Sequence, residues 1–387
     1  MTFLDKGLIY ELRSKISGSP IFSKDVSLKD NYDLICAVLD RLDTSVNYLN
    51  KHSDIPSTEH DFLVFMMYSS MVKDASKQLG DVLGVDYPFM NKNDDVNFKF
   101  FKSFCMRKPL NLEERIVPTD DKFFEYFRSI AFAHPFETSR ANFLKKNDNE
   151  IHYSPFVIVN DHMLSPLKEI KDAVGVRVYT NKADGWDSIL DIEISFNSLK
   201  NFIESRYNFI KKIIDWSQKQ IDDFEQIWKS RKVDRNLPDI KILEDIIEIF
   251  KSRHQSTYAI ETILDYLECE LTLDDNLESV KKYRSMIIGF IPAICDAVDN
   301  LDYDFIFNTI YFKIEATPKG NIGDMTSYQI QKIFSYESDV SWGRHNAKEF
   351  SQGFAKEFVT IKQESMNFSE IKLLVRTACY LKIEQEK

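Results

Sequence analysis

Apolar residues recur three and four positions apart along most of the chain, the spacing of a helix with one buried face. Tyr32, Ile35, Cys36, Leu39 and Leu42 form one stripe. Phe62, Phe65, Met66, Ser69, Met71 and Val72 form another, on a helix that Ser57 is expected to cap, with Glu59 and His60 in its first turn. Gly80 and Gly84 are expected to close that helix ahead of Pro88. A less regular stretch follows, with Lys102, Arg107 and Lys108 beside Phe98, Phe100, Phe101 and Phe104. Thr119 then opens a dense aromatic helix over 123–133, with Asp120 and Asp121 at the positive end of its dipole. It stops at His134 because Pro135 follows, and a residue before proline avoids the α region.

The period changes at residue 153. Segments 153–160, 174–180 and 189–195 are short, rich in β-branched residues and bounded by Asn, Asp, Gly and Pro, which predicts a small antiparallel sheet. Helical spacing then returns over 199–229, 240–270 and 277–300, the last kinked by Pro292, and again over 327–362 and 369–382. Segment 305–314 fits either a strand or a short helix. The predicted fold is mainly α: a helical bundle with a small antiparallel β insertion, then a second helical region. The division is placed between domains 1–196 and 197–387, with the sheet at about 153–195.

Composition agrees with that pattern. Eleven Gly and 11 Pro against 30 Phe and 17 Tyr leave too few turn formers for a many-stranded sandwich or glycine-rich nucleotide loops. A net charge of −11 excludes a uniformly basic nucleic-acid binder, though not a local basic patch. The five cysteines (Cys36, Cys105, Cys269, Cys295 and Cys379) form no CxxC pair, which fits reduced thiols and no zinc knuckle. The charged first 16 residues lack a signal-peptide core, and the apolar run 286–295 is too short to cross a bilayer. A cytoplasmic protein without membrane association is expected.

The candidate chemistry lies at the end of the aromatic helix, which reads Phe127-Arg128-Ser129-Ile130-Ala131-Phe132-Ala133-His134-Pro135. Arg128 sits among Phe124, Phe127, Ile130 and Phe132, where an unpaired charge is expensive. An Arg followed after five residues by a His resembles the R-x(4–6)-H motif of the HEPN superfamily (higher eukaryotes and prokaryotes nucleotide-binding). The resemblance covers the N-terminal half of the chain. Many HEPN sequences carry Asn, Asp or His directly after the Arg, whereas Ser129 stands there in this chain. The resemblance implies a metal-independent endoribonuclease of the toxin or phage-defence kind. A 2′-hydroxyl would attack the adjacent phosphate, leaving a 2′,3′-cyclic phosphate. His134 would move the proton, and Arg128 would hold the phosphorane oxygens.

A six-residue offset on an ideal helix is about 600°, so one chain sets the two side chains some 120° apart. The resemblance implies a homodimer in which two motifs face one cleft, with RNA and an antitoxin or regulatory protein as partners. Ser129, Thr138, Arg140, Lys145 and Lys146 are the candidate substrate contacts. No metal and no cofactor is called for.

Other features read as structural. Lys229, Arg231, Lys232 and Arg235 complement the end of a helix, and Lys281, Lys282 and Arg284 are similar. His52 with His60, and His152 with His162, lack metal spacing; Arg344 and His345 are adjacent and point apart on a helix. No NTPase, dinucleotide, zincin, serine-hydrolase or kinase motif occurs. The competing reading is a non-enzymatic helical scaffold that binds a protein or nucleic-acid partner, with Arg128 in a buried polar network.

Overall fold

The structure is a computed structural model that describes residues 2–25, 28–91, 94–107, 110–137, 150–159, 172–181, 189–318, 323–335 and 340–387. The chain divides into two compact units, Met1–Ile221 and Asp222–Lys387. The expected division at 196/197 falls where the sheet gives way to helix; the boundary between the units lies inside a later helix, Ile210–Ser230.

The first unit is built on helices α1 (Gly7–Gly18), α2 (Tyr32–Lys51), α3 (Glu59–Leu83) and α4 (Asp120–Arg128). Ile35, Leu39, Leu42, Val46 and Leu49 form the buried face of α2 against α3. Thr58, one residue beyond the expected cap, accepts the Asp61 amide at 3.1 Å and starts α3. Gly84 ends α3 in the left-handed region at φ +70°, a conformation that glycine adopts without penalty. Gly80 has a different role from the one expected. It lies inside α3, where a Cβ would come within 2.8 Å of the Phe209 ring.

Beyond α4 come strands β1 (His152–Val159), β2 (Ala173–Thr180) and β3 (Ile189–Ser195), then α5 (Phe196–Tyr207) and α6 (Ile210–Ser230). The sheet is antiparallel in the order β1-β2-β3, with an irregularity between Tyr153 and Phe156. Val174, Val176 and Val178 alternate onto its buried face with Ile158, Ile192 and Ile194. Many of the phenylalanines are core: Phe62 meets Phe127 at 6.1 Å, Phe124 meets Phe202 at 4.9 Å, and Phe65 meets Phe196 at 4.7 Å, whereas Phe136 and Phe156 are exposed.

The second unit holds α7 (Asp239–Ser252), α8 (Tyr258–Glu268), α9 (Leu277–Asp299), α10 (Gly323–Ser335), α11 (Val340–Gln352) and α12 (Phe368–Gln385). From Ile371 to Cys379 only Lys372 is not buried, so α12 is surrounded by its neighbours. α9 continues through Pro292, which lies on its exposed side. The undecided segment 305–314 is helical, with a π-helical turn at Ile306–Tyr311. No helix among the described residues is long and apolar enough to cross a membrane.

Candidate functional site

The window that carries Arg128 is anchored at its start by more than a dipole. Thr119 caps α4, and Asp120 accepts the backbone amides of Lys99, Phe100 and Phe101 at 2.8 to 3.2 Å. Asp121 is buried against Arg206, whose Nε lies 2.9 Å from its Oδ1. Burial pushes both carboxyls above the ordinary value. The Arg206 and Lys73 charges oppose that rise at Asp121.

At the other end, α4 gives way after Arg128 to a π-helical turn, Ser129–Ala133, and the His134 amide donates to the Ser129 carbonyl at 2.7 Å. Such wide turns are rare and concentrate at functional positions. Pro135 cannot extend the helix, and its carbonyl accepts the Ser154 amide at 2.6 Å, which ties the turn to β1.

Arg128 is held by α3. Its Nη1 donates to Ser70 Oγ at 2.8 Å and lies 3.6 Å from Asp74 Oδ2. Lys73, one turn away and only 4% exposed, pairs with Asp74 at 3.3 Å and with Glu125 at 3.1 Å. Burial alone would lower the Lys73 ammonium, but Asp74, Asp121 and Glu125 together raise it above its usual value. Two cations and two carboxylates therefore interlock where α3 crosses α4. The Arg128 side chain keeps 26% exposure, while its Nε is buried without a hydrogen-bond partner.

His134 is exposed on the far side of the turn. Among the described residues, no hydrogen bond, ion pair or ring contact joins it to Arg128. Ser129 is fully buried within the turn. Thr138, Arg140, Lys145 and Lys146 lie outside the described residues.

Beside this turn is a chain of side chains that sequence reasoning missed. Tyr126 OH lies 3.2 Å from His152 Nδ1, and His152 Nε2 lies 3.1 Å from Glu150 Oε1, which also accepts the Thr180 hydroxyl at 2.9 Å. A neutral imidazole satisfies the chain when Tyr126 donates to Nδ1 and Nε2–H donates to Glu150. Burial, with the Glu150 charge behind it, drives the Tyr126 hydroxyl far above its usual value, so it stays protonated. His152 was legible only as a residue flanking a strand; its partners come from α4, the preceding loop and the β1–β2 register.

The basic cluster at the end of α6 and the Arg344–His345 pair are committed to structure. Lys229 pairs with Glu225, Arg231 with Asp245, and Arg235 with Asp296 and Asp299, while Lys232 donates to the Asp299 carbonyl. Arg344 donates to the Gln363 and Met366 carbonyls, and His345 stacks on Trp342 at 5.4 Å. Among the described residues no group of three His, Cys, Asp or Glu could hold a metal ion.

In comparisons with known proteins, no family model, no curated protein and no solved structure matches the chain.

Proposed function

We propose that the end of α4 is the active centre of a metal-independent endoribonuclease of the HEPN type. The observation that carries this reading is a pinned cation and an exposed imidazole at opposite ends of one π-helical turn, which is tied at Pro135 to the sheet. In the reaction the substrate's 2′-oxygen bonds to phosphorus and the bond to the 5′-oxygen breaks. The 2′-hydroxyl proton passes to a base, and His134 as imidazolium protonates the departing 5′-oxygen. Arg128, fixed by Ser70 and Asp74, meets the charge that develops on the phosphorane. Arg128 and His134 share no partner among the described residues, and the reading places two copies around one cleft. The role is that of a toxin or defence effector acting on RNA.

Expression in a bacterial host tests this reading. Wild type slows growth, and the exposed-site change His134→Ala restores it at equal protein level. Equal growth for both forms contradicts it.

One observation favours a second reading. Asp74 sits 3.6 Å from Arg128, so the guanidinium already has a carboxylate and can serve purely as a tie between helices. In that case the protein is a helical scaffold, and Arg128→Ala lowers the melting temperature without touching RNA.

A further inference from the structure

The second unit contains a cavity of about 150 Å³ lined by α8, the end of the π-helical turn Ile306–Tyr311 with the segment after it, α10 and α12. That volume equals roughly five waters. Its walls are aromatic and acidic. Tyr258 and Tyr311 stand 6.2 Å apart at 72°, making a corner, and Tyr266 and Phe334 also line the cavity. Three carboxylates join them: Glu261, Asp265 and Glu315.

The charges do not balance. Glu315 is fully engaged, since it accepts the Tyr266 hydroxyl at 2.7 Å and pairs with Arg376, which itself stacks 3.9 Å over the Phe334 ring. Glu261 and Asp265 are one turn apart on α8 and repel each other. Among the described residues, the cation lining the cavity is Lys372 of α12, whose Nζ lies 5.3 Å from the Phe368 ring centre and 6.0 Å from that of Phe334. Lys251 also faces Glu261, but it is paired with Glu248 at 2.8 Å. One lysine thus faces two carboxylates. The surroundings respond to that excess: burial and the Glu261 charge raise Asp265 despite Lys372, and burial and Glu315 raise the Tyr311 hydroxyl.

We propose that this cavity binds a small alkylated ammonium ion of about the size of choline, seated in the Tyr258–Tyr311 corner against Glu261 and Asp265. Ring faces attract a cation whose alkyl groups shed water easily, and the carboxylates supply the charge that a neutral ligand of the same shape cannot use. A bare metal ion has too few converging oxygens here, because Glu315 is spent on Arg376 and Tyr266.

Calorimetric titration of the full chain with choline and with its neutral carbon isostere tests the proposal. Choline binds at one site, and the isostere binds at least about tenfold more weakly. The double change Glu261→Gln with Asp265→Asn weakens choline on the order of tenfold while the circular dichroism spectrum is unchanged. Lys372→Met, which removes the competing ammonium, tightens it. Absence of choline binding, equal binding of the isostere, or equal binding by the double variant overturns the proposal. So does binding that appears only in Lys372→Met, because the lysine is then the cavity's own occupant.

Discussion

The two compact units bury their cations against different partners. In the first unit the partners are carboxylates: Arg206 meets Asp121 at 2.9 Å, Lys73 meets Asp74 and Glu125, and Arg177 meets Asp191 at 2.6 and 2.7 Å. In the second, Arg376 meets the Glu315 carboxylate, but Arg253 and Arg284 are held by carbonyls. Arg253 donates to those of Trp228, Arg231 and Val298 at 2.6 to 2.9 Å, and Arg284 donates to Tyr266 and Cys269. Those carbonyls belong to the ends of α6, α8 and α9, where backbone acceptors lack helical partners and the dipole is negative. A carbonyl acceptor does not titrate, and losing its donor leaves a polar group. A buried carboxylate that loses its donor is left as a charge. Arg128, paired with Asp74, belongs to the first kind, which is why its surroundings respond to charge.

The largest test of this contrast is removal of one partner from each kind. Asp121→Ala strands the Arg206 guanidinium among the Phe89, Phe100 and Phe202 rings, and should cost about 3–5 kcal/mol by urea unfolding. Arg253→Met orphans helix-end carbonyls and should cost about 1–3 kcal/mol. Equal costs would break the contrast.

Glycine contacts give a smaller separation. At Gly175 a Cβ would lie 2.2 Å from the Ile192 carbonyl oxygen, which the ladder holds in place. At Gly343 it would lie 2.5 Å from the tip of the Phe368 ring, which can rotate away. Gly175→Ala should therefore cost about 3 kcal/mol and Gly343→Ala about 1 kcal/mol, read from thermal melts.

The smallest effect expected is in the alkaline range. Lys73 has its folded value raised above 10.5, so its stabilising contribution is complete below that value and is lost as pH rises through the folded one. Melting temperature in wild type should fall more steeply above 10.5 than in Lys73→Met. Parallel curves would show that the Asp74 and Glu125 contacts add nothing.

Much of the fold is legible because its signals are local. Alternating β-branched residues locate the three strands to within about a residue, and the α3 cap is misplaced only from Thr58 to the neighbouring hydroxyl of Ser57. The long helices expected over 199–229 and 240–270 each break in two, and neither break carries a Gly or Pro. At the second, His254 takes φ +58°, a left-handed helix-end conformation uncommon in non-glycine residues, and the Gln255 amide beyond it donates back to the Phe250 carbonyl at 2.9 Å. The expectation of a single helix over 327–362 also fails, since α11 ends at Gln352 and a short turn, Phe354–Glu357, follows.

At the candidate site, spacing alone picks out Arg128 and His134. Ser70 and Asp74 are not legible, because they reach Arg128 from another helix, and the Tyr126–His152–Glu150 chain depends on a strand position that spacing does not fix.

The most direct test of the ribonuclease reading is cleavage of single-stranded RNA by the purified chain in EDTA, with analysis of the product ends. The account predicts 2′,3′-cyclic phosphate and 5′-hydroxyl ends, and a loss of at least about a hundredfold in both Arg128→Ala and His134→Ala at unchanged folding. Cleavage that persists undiminished in His134→Ala, or no cleavage by wild type at any protein concentration that forms dimers, would contradict it.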